Sequence, residues 1–333
     1  MLELVCPAGS LPALQAALSA GADAVYVGFR NNTNARAFTG LNFNHKQLEQ
    51  AVATAHRTHR KVFFAINTYA EAGREHTWHD TIDQAIALGT DALIMADPGL
   101  LAYAREKYPD ARLHLSVQGS ATTPEAINLF VREYGIQRAV LPRVLSLKQV
   151  KATAQLANAE IEVFGFGSLC IMAEGRCHLS SWLTGESPNT YGVCSPAKYV
   201  QWEETNDGAL STRLNRVLID NYAPGEEAAY PTLCKGRFEV QGNRYHALEE
   251  PTSLNTISLL PELYHANVRA IKIEGRQRSP AYVKEVTRIW RQAIDSLLEH
   301  PDDFKVQENW QQNLMRLSEG RMTTLGAYHR SWQ

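Results

Sequence analysis

Short runs of β-branched and aromatic residues alternate with longer stretches in which apolar side chains recur every three or four positions, and this alternation continues through most of the chain. Compact apolar runs read as buried strands and the 3.6-residue period as amphipathic helices, so the succession predicts βα units feeding a parallel sheet. The candidate strands are LELVC (2–6), DAVYVGF (23–29), KVFFAIN (61–67), DALIMAD (91–97), RLHLSVQ (112–118), RAVLPR (138–143), EIEVFGF (160–166) and RAIKIEG (269–275). Helical patterns follow them at LPALQAALSAG, HKQLEQAVATAHRTHR, WHDTIDQAIALG, GLLAYAREKY, PEAINLFVREYG, SLKQVKATAQLAN, more weakly at SLLPELYHAN, and at YVKEVTRIWRQAIDSLLEH. Thr123-Pro124-Glu125 has the form of a helix start, with a side-chain oxygen to cap the first free amides and a proline in the first turn. Eight such units predict an α/β fold, a (β/α)8 TIM-like barrel. A doubly wound sheet calls for a phosphate-binding glycine loop after the first strand, and PAGSLPA is not one.

The rhythm breaks once, between strand 7 and helix 7, where residues 167–254 intervene. This insertion holds four further strand-like runs, KYVQWEE, RVLIDNY, GRFEV and RYHAL, which predict a small antiparallel subdomain. The expected organisation is a barrel over 1–300, interrupted by the 167–254 insertion, then a C-terminal helix and tail over 301–333. Loops that follow barrel strands lie on the C-terminal face, where active sites of this fold are built. The insertion is therefore expected over the active site.

Charge narrows the classes of function. With 33 basic and 35 acidic side chains the net charge is −2, and no long lysine and arginine run appears, so neither a nucleic-acid partner nor a membrane surface is expected. The start MLELVCPAGS lacks a basic region and its apolar run ends at Pro7; AIALGTDALIMADPGLLAYA is interrupted by Asp91, Asp97 and Pro98. Neither is a signal peptide or a membrane span, and a cytoplasmic location is expected. In a reducing compartment, clustered cysteines point to metal binding or chemistry more than to disulfides.

Four of the five cysteines, Cys170, Cys177, Cys194 and Cys234, fall in the insertion, with 6, 16 and 39 residues between them. Four thiolates suit zinc or an iron–sulfur cluster, and zinc sites more often use short CxxC knuckles, of which there are none. The alternative is a set of buried, unliganded thiols. The stretch between Cys170 and Cys177, which contains the small residues Ala173 and Gly175, suits a loop whose amides donate to cluster sulfurs. Cys6, at the end of the first strand, reads as a core residue.

Polar residues at the strand ends share the same mouth: Asn67, Asp97, Gln118, Arg143, Glu274 and Arg276, with Arg36 and Asn42 in the second loop. Arg143, Glu274 and Arg276 are the candidate catalytic residues, since arginine forks clamp a carboxylate in two-point fashion; the competing reading is a set of loop ion pairs, for instance Glu274 with Arg143. The histidines of Glu75-His76-Thr77-Trp78-His79 fit the start of a surface helix, and His56 and His59 a solvated helix end. No GxSxG elbow or HExxH motif appears, so a protease has no recognisable catalytic residues here.

The run from Glu162 to Cys170, EVFGFGSLC, followed after four residues by GRCHLS (175–180), resembles the signature of the collagenase-like peptidase family. NARAFTGLNF (34–43), LSVQGSATTPEA (115–126), VLPRVLSL (140–147) and KIEGRQRSPAYV (272–283) agree in order, so the resemblance covers nearly the whole chain. Within that family the chain resembles the ubiquinone-biosynthesis members. The resemblance implies a 4Fe-4S cluster on Cys170, Cys177, Cys194 and Cys234, and oxygen-independent hydroxylation of the ubiquinone precursor ring with prephenate as hydroxyl donor. It also implies an obligate UbiV-like paralogue as partner in a heterodimer. Other family members hydroxylate RNA bases or bear the protease label, which leaves an RNA-base hydroxylase, or a scaffold with a structural cluster, as alternatives.

Overall fold

A computed structural model describes residues 2–37, 40–170, 177–186, 188 and 193–329. Seven strands, β1 (Glu3–Pro7), β2 (Ala24–Val27), β3 (Lys61–Ile66), β4 (Ala92–Met95), β5 (Leu113–Leu115), β6 (Arg138–Val140) and β7 (Glu160–Ser168), pair in sequence order and in parallel. An eighth parallel strand, Ala270–Ile273, pairs with β7 on one side and β1 on the other, with Ala270 opposite both Glu162 and Glu3. That double pairing closes the barrel, as the eight predicted units required.

Helices connect the strands on the outside: α1 (Leu11–Ser19), α2 (His45–His56), α3 (His76–Ala87), α4 (Pro98–Lys107), α5 (Pro124–Tyr134) and α6 (Leu147–Leu156). Local chemistry sets where they begin. Ser10, Asn44, Asp97, Thr123 and Ser146 each turn a side-chain oxygen onto a free amide of the first turn, and Asn44 and Ser146 form complete capping boxes with Gln47 and Gln149.

Strand alternation sorts the apolar residues into two cores. Leu4, Cys6, Val25, Val27, Val62, Phe64, Ile271 and Ile273 face the helices, whereas Val5, Ala24, Tyr26, Phe63, Ala92, Ile94 and Ala270 fill the barrel interior. Cys6 is fully buried in the outer core and accepts a hydrogen bond from the Thr287 hydroxyl at 3.2 Å. The interior also holds charge. Glu162 is 1% exposed; it accepts from Lys272 Nζ at 2.7 Å and from Arg138 Nη1 at 3.1 Å, and Arg138 also reaches Glu3 at 2.6 Å. Burial opposes ionisation of Glu162, but Lys272 and Arg138 overcome it and hold its carboxyl below the ordinary carboxylate range.

Between β7 and the last barrel strand the chain leaves the barrel through the helix α7 (His178–Thr184). It then forms an antiparallel sheet of β8 (Val200–Glu204), β9 (Leu210–Leu214) and β10 (Val217–Tyr222), and a hairpin of β11 (Phe238–Val240) and β12 (Asn243–Tyr245). Of these strands β9, LSTRL, was not anticipated, because its alternation of small, polar and apolar residues looks like loop until Leu214 and Thr212 are seen buried against the neighbouring strands. Asp220, 1% exposed, is held by Arg237 and Arg244 at 2.8 and 2.7 Å. The returning strand β13 (Ser253–Asn255) runs antiparallel to the end of β7, with Ser253 opposite Ser168, so both ends of the excursion are tied to the C-terminal end of one barrel strand.

The eighth barrel strand is β14; α8 (Leu260–His265) precedes it and α9 (Pro280–Glu299) and α10 (Glu308–Leu317) follow. A last short strand, β15 (Thr323–Thr324), lies parallel to β13. Among the described residues no helix is long and apolar enough to cross a membrane.

Replacing Glu162 with glutamine leaves the buried Lys272 without its counter-charge and removes one of the carboxylates around Arg138, which keeps Glu3 and Glu160, and stability should fall by about 3–5 kcal/mol. Urea denaturation followed by circular dichroism measures it. Glu133→Gln, which breaks an exposed pair with Arg132, should leave the midpoint nearly unchanged.

Candidate functional site

The loop leaving β14 seats two of the three candidate catalytic residues over the barrel mouth. Glu274 continues the inward parity of Ala270 and Lys272, and its Oε2 accepts from the Ser168 amide at 3.3 Å. Arg143, beyond β6, donates from Nη1 to the Ser168 carbonyl at 2.5 Å and lies 4.5 Å from the centre of the Phe164 ring. The end of β7 is thus a shared fixture for Arg143 and Glu274. Gly167 makes the approach feasible: its φ is +135°, and a Cβ there would lie 2.4 Å from Glu274 Cβ.

Arg276 is 6% exposed. Its Nη1 donates to Asn34 Oδ1 at 2.8 Å, its guanidinium lies 5.5 Å from the Tyr26 ring centre, and among the described residues no carboxylate forms an ion pair with it. Burial pushes its pKa down to about 10. A cation so poorly compensated favours an anionic ligand. Gly28 makes room for the arrangement, since a Cβ there would lie 2.6 Å from Asn34 Nδ2 and 3.1 Å from Arg276 Nη1.

These residues line a cavity of about 70 Å³ together with Arg36, Asn67, Gln118, Tyr26 and Lys272. Six of the eight residues expected at the mouth are there. Asp97 is not; it caps α4, accepting from the Gly99 amide at 2.7 Å, and also accepts from Ala70. Asn42 is not either: with φ +70° it turns the second loop and donates to the Arg36 carbonyl at 2.5 Å. Tyr26 and Lys272 were missed. Their signal was strand parity, since a lysine in the middle of AIKI and a tyrosine in AVYV sit at inward positions.

Above the mouth lies a second cavity, of about 430 Å³, and Cys170, Cys177, Cys194 and Cys234 all line it. They come from the end of β7, the start of α7 and two insertion turns, so only the folded insertion gathers them. Residues 171–176, between Cys170 and Cys177, lie outside the described residues. Burial and the neighbouring thiols push the Cys234 thiol up to about 12. Among the described residues no three His, Cys, Asp or Glu side chains converge closely enough to hold a metal ion; the four thiols line one space. The buried Ser195 hydroxyl, beside Cys194, has no hydrogen-bond partner among the described residues. The donor set and an unused hydroxyl at the wall suit a sulfur-rich cluster. Arg36, Arg143, Glu274 and Gln277 line both cavities, so the two spaces are neighbours sharing a wall.

The family description "Peptidase family U32" matches residues 9–331. The chain belongs to peptidase family U32. It is 31% identical over 321 residues to tRNA hydroxylation protein P of Escherichia coli (strain K12), covering 88% of this chain and 68% of that protein. It is 32% identical over 303 residues to the 23S rRNA 5-hydroxycytidine C2501 synthase of the same organism, covering 91% of this chain and 41% of that one. The structure of the U32 peptidase Mk0906 superposes with a TM-score of 0.50 over 84% of this chain and 95% of that chain, at 13% identity, which shows a common fold.

Gly167→Ala should destabilise the protein by more than Gly185→Ala. Both sites have positive φ, +135° and +73°, but only the first meets a neighbour, Glu274, within 4 Å. Thermal denaturation of the two variants, side by side, reads the combined cost of the φ +135° backbone and the Glu274 contact.

Proposed function

We propose that this U32 family member is the iron–sulfur subunit of an oxygen-independent hydroxylase. In this reading Cys170, Cys177, Cys194 and Cys234 hold a 4Fe-4S cluster, and the barrel mouth beneath binds an anionic hydroxyl donor, prephenate. The observation that carries the reading is the juxtaposition of four thiols and a cation-lined cavity on opposite sides of one wall. The hydroxylation named for the two bacterial relatives supports the reaction class.

A bound cluster supplies control of electrons, which hydroxylation of an unsaturated ring without oxygen requires. The protein's own residues bind and orient. Arg276 and Arg143 present planar forks to the carboxylates of the donor, and the low-polarity setting around Arg276 strengthens that contact. Among the described residues Glu274, fixed by the Ser168 amide, is the one carboxylate lining the mouth, and in this reading it accepts a proton from the reacting pair. Lys272 is engaged by Glu162 and holds the floor of the cavity.

For the ring that is hydroxylated, the four-cysteine pattern and the run TTLGAYHRSWQ resemble the ubiquinone biosynthesis protein UbiU, which supports a ubiquinone precursor and a UbiV-like partner. The near-neutral charge agrees with a small acceptor. The second reading is an RNA base. The names of the tRNA and rRNA hydroxylation relatives support it and remove the ground for expecting no nucleic-acid partner.

Anaerobically prepared protein should be brown and carry about four irons per chain, with iron lost in Cys177→Ala; zinc in place of iron sinks the cluster. A deletion strain grown without oxygen should lack ubiquinone yet make it in air. Normal anaerobic ubiquinone with loss of hydroxylated RNA bases transfers the assignment to the RNA reading. Holoprotein should leave gelatin and casein intact.

Arg143→Ala and Arg276→Ala should abolish hydroxylation while keeping iron and fold, and lysine at either position should rescue poorly, because a point charge does not replace a fork. Full activity in both alanine variants removes them from the site.

A further inference from the structure

Arg36 stands at the junction of the two cavities. It lines both, and it is close enough to act electrostatically on the Cys194 thiol on one side and on the Arg276 guanidinium on the other. Its backbone is firmly held. The Arg36 amide donates to Asn34 Oδ1 at 3.0 Å, the Ala35 amide to Asn67 Oδ1 at 3.1 Å, and Asn42 Nδ2 to the Arg36 carbonyl at 2.5 Å. Its side chain is held loosely: among the described residues the guanidinium makes one long bond, from Nη1 to the Ala35 carbonyl at 3.4 Å, and no carboxylate pairs with it. A fixed stem with a lightly held cationic head is free to favour whichever side carries more negative charge.

The stem has a further tie. Asn34, wholly buried, accepts both from the Arg36 amide and from Arg276 Nη1, at 2.8 Å in the second case. An anion that draws the Arg276 fork competes with the same oxygen that orients Arg36. The mouth therefore reaches Arg36 through a hydrogen bond as well as through space.

We infer that Arg36 is shared by the two sites, so that a small carboxylate in the barrel mouth and negative charge gained at the cysteine site compete for it. This rests on the reading that the cysteines hold a reducible cluster. The coupling has a definite sign. One added electron makes the cluster more negative and draws Arg36 toward Cys194, which weakens the carboxylate; a bound carboxylate draws Arg36 to the mouth and makes reduction harder. Linkage requires the two effects to be equal in size. Reduction of the cluster would then favour release of the anion from the mouth.

Direct repulsion between anion and cluster has the same sign, and the variants separate the two. Removing a shared cation abolishes the competition and shrinks the coupling, whereas removing a mere screen leaves direct repulsion unchanged or larger. The test is a potentiometric titration of the anaerobic holoprotein, followed by visible absorbance and normalised to iron, with and without saturating malonate as the probe.

In the wild type, malonate should lower the midpoint, and dithionite-reduced protein should bind malonate more weakly by on the order of five-fold. Arg36→Gln should cut the malonate-induced shift to less than half, and Arg36→Lys should retain most of it. No malonate binding, no shift in the wild type, or an equal or larger shift in Arg36→Gln overturns the inference. Absence of iron from the wild-type protein overturns this inference and the functional reading together, whereas iron-loaded protein with unaltered coupling in Arg36→Gln overturns this inference alone.

Discussion

The Glu162 carboxylate, buried between Lys272 and Arg138, is the interaction on which the rest of the molecule depends. It belongs to β7, Lys272 to β14 and Arg138 to β6, so one anion links the strand at the barrel's closing seam to both of its neighbours. A TIM barrel ordinarily fills its interior with branched apolar side chains. Here part of that volume is charge: the pairing offsets a large desolvation cost, and loss of the Glu162 carboxylate strips Lys272 of its counter-charge. The benefit is register. Lys272 must face inward to meet Glu162, and strand alternation then sends Glu274 to the mouth and Ile271 and Ile273 to the outer core.

From that fixed seam the site is assembled upward. The last residues of β7 extend past the barrel as a rail on which Arg143 and Glu274 both rest, through the carbonyl and the amide of Ser168. The same rail pairs with β13 and thereby anchors the return of the insertion that carries the four clustered cysteines. Position at the mouth and position of the thiols are consequently set by one strand. The C-terminal segment closes the construction, with Glu319 paired to the buried Lys235 next to Cys234 and β15 laid along β13.

Much of this was legible in the chain. All eight barrel strands and their helices follow from hydrophobic period and capping chemistry, because each βα unit is local and its two cores are written as strand parity. The clustering of cysteines in one insertion, and the mouth positions of Arg36, Asn67, Gln118, Arg143, Glu274 and Arg276, follow from the rule that such loops share a face. Asp97 and Asn42 read as site residues because a polar group at a strand end looks alike whether it caps a helix, turns a loop or meets a ligand; only its hydrogen-bond partners tell these apart.

The sequence by itself determined the barrel, the location of the insertion and the residue types at its mouth, since those depend on patterns within one βα unit. Tertiary structure alone decided the rest. That Glu162 serves both Lys272 and Arg138, that Gly28 and Gly167 are the gaps into which Arg276 and Glu274 fit, and that four cysteines spread over 65 residues of sequence line one space are facts about residues distant along the chain. Pair energies of that kind arise from distances and burial that exist only once the barrel has closed, and no local pattern encodes them.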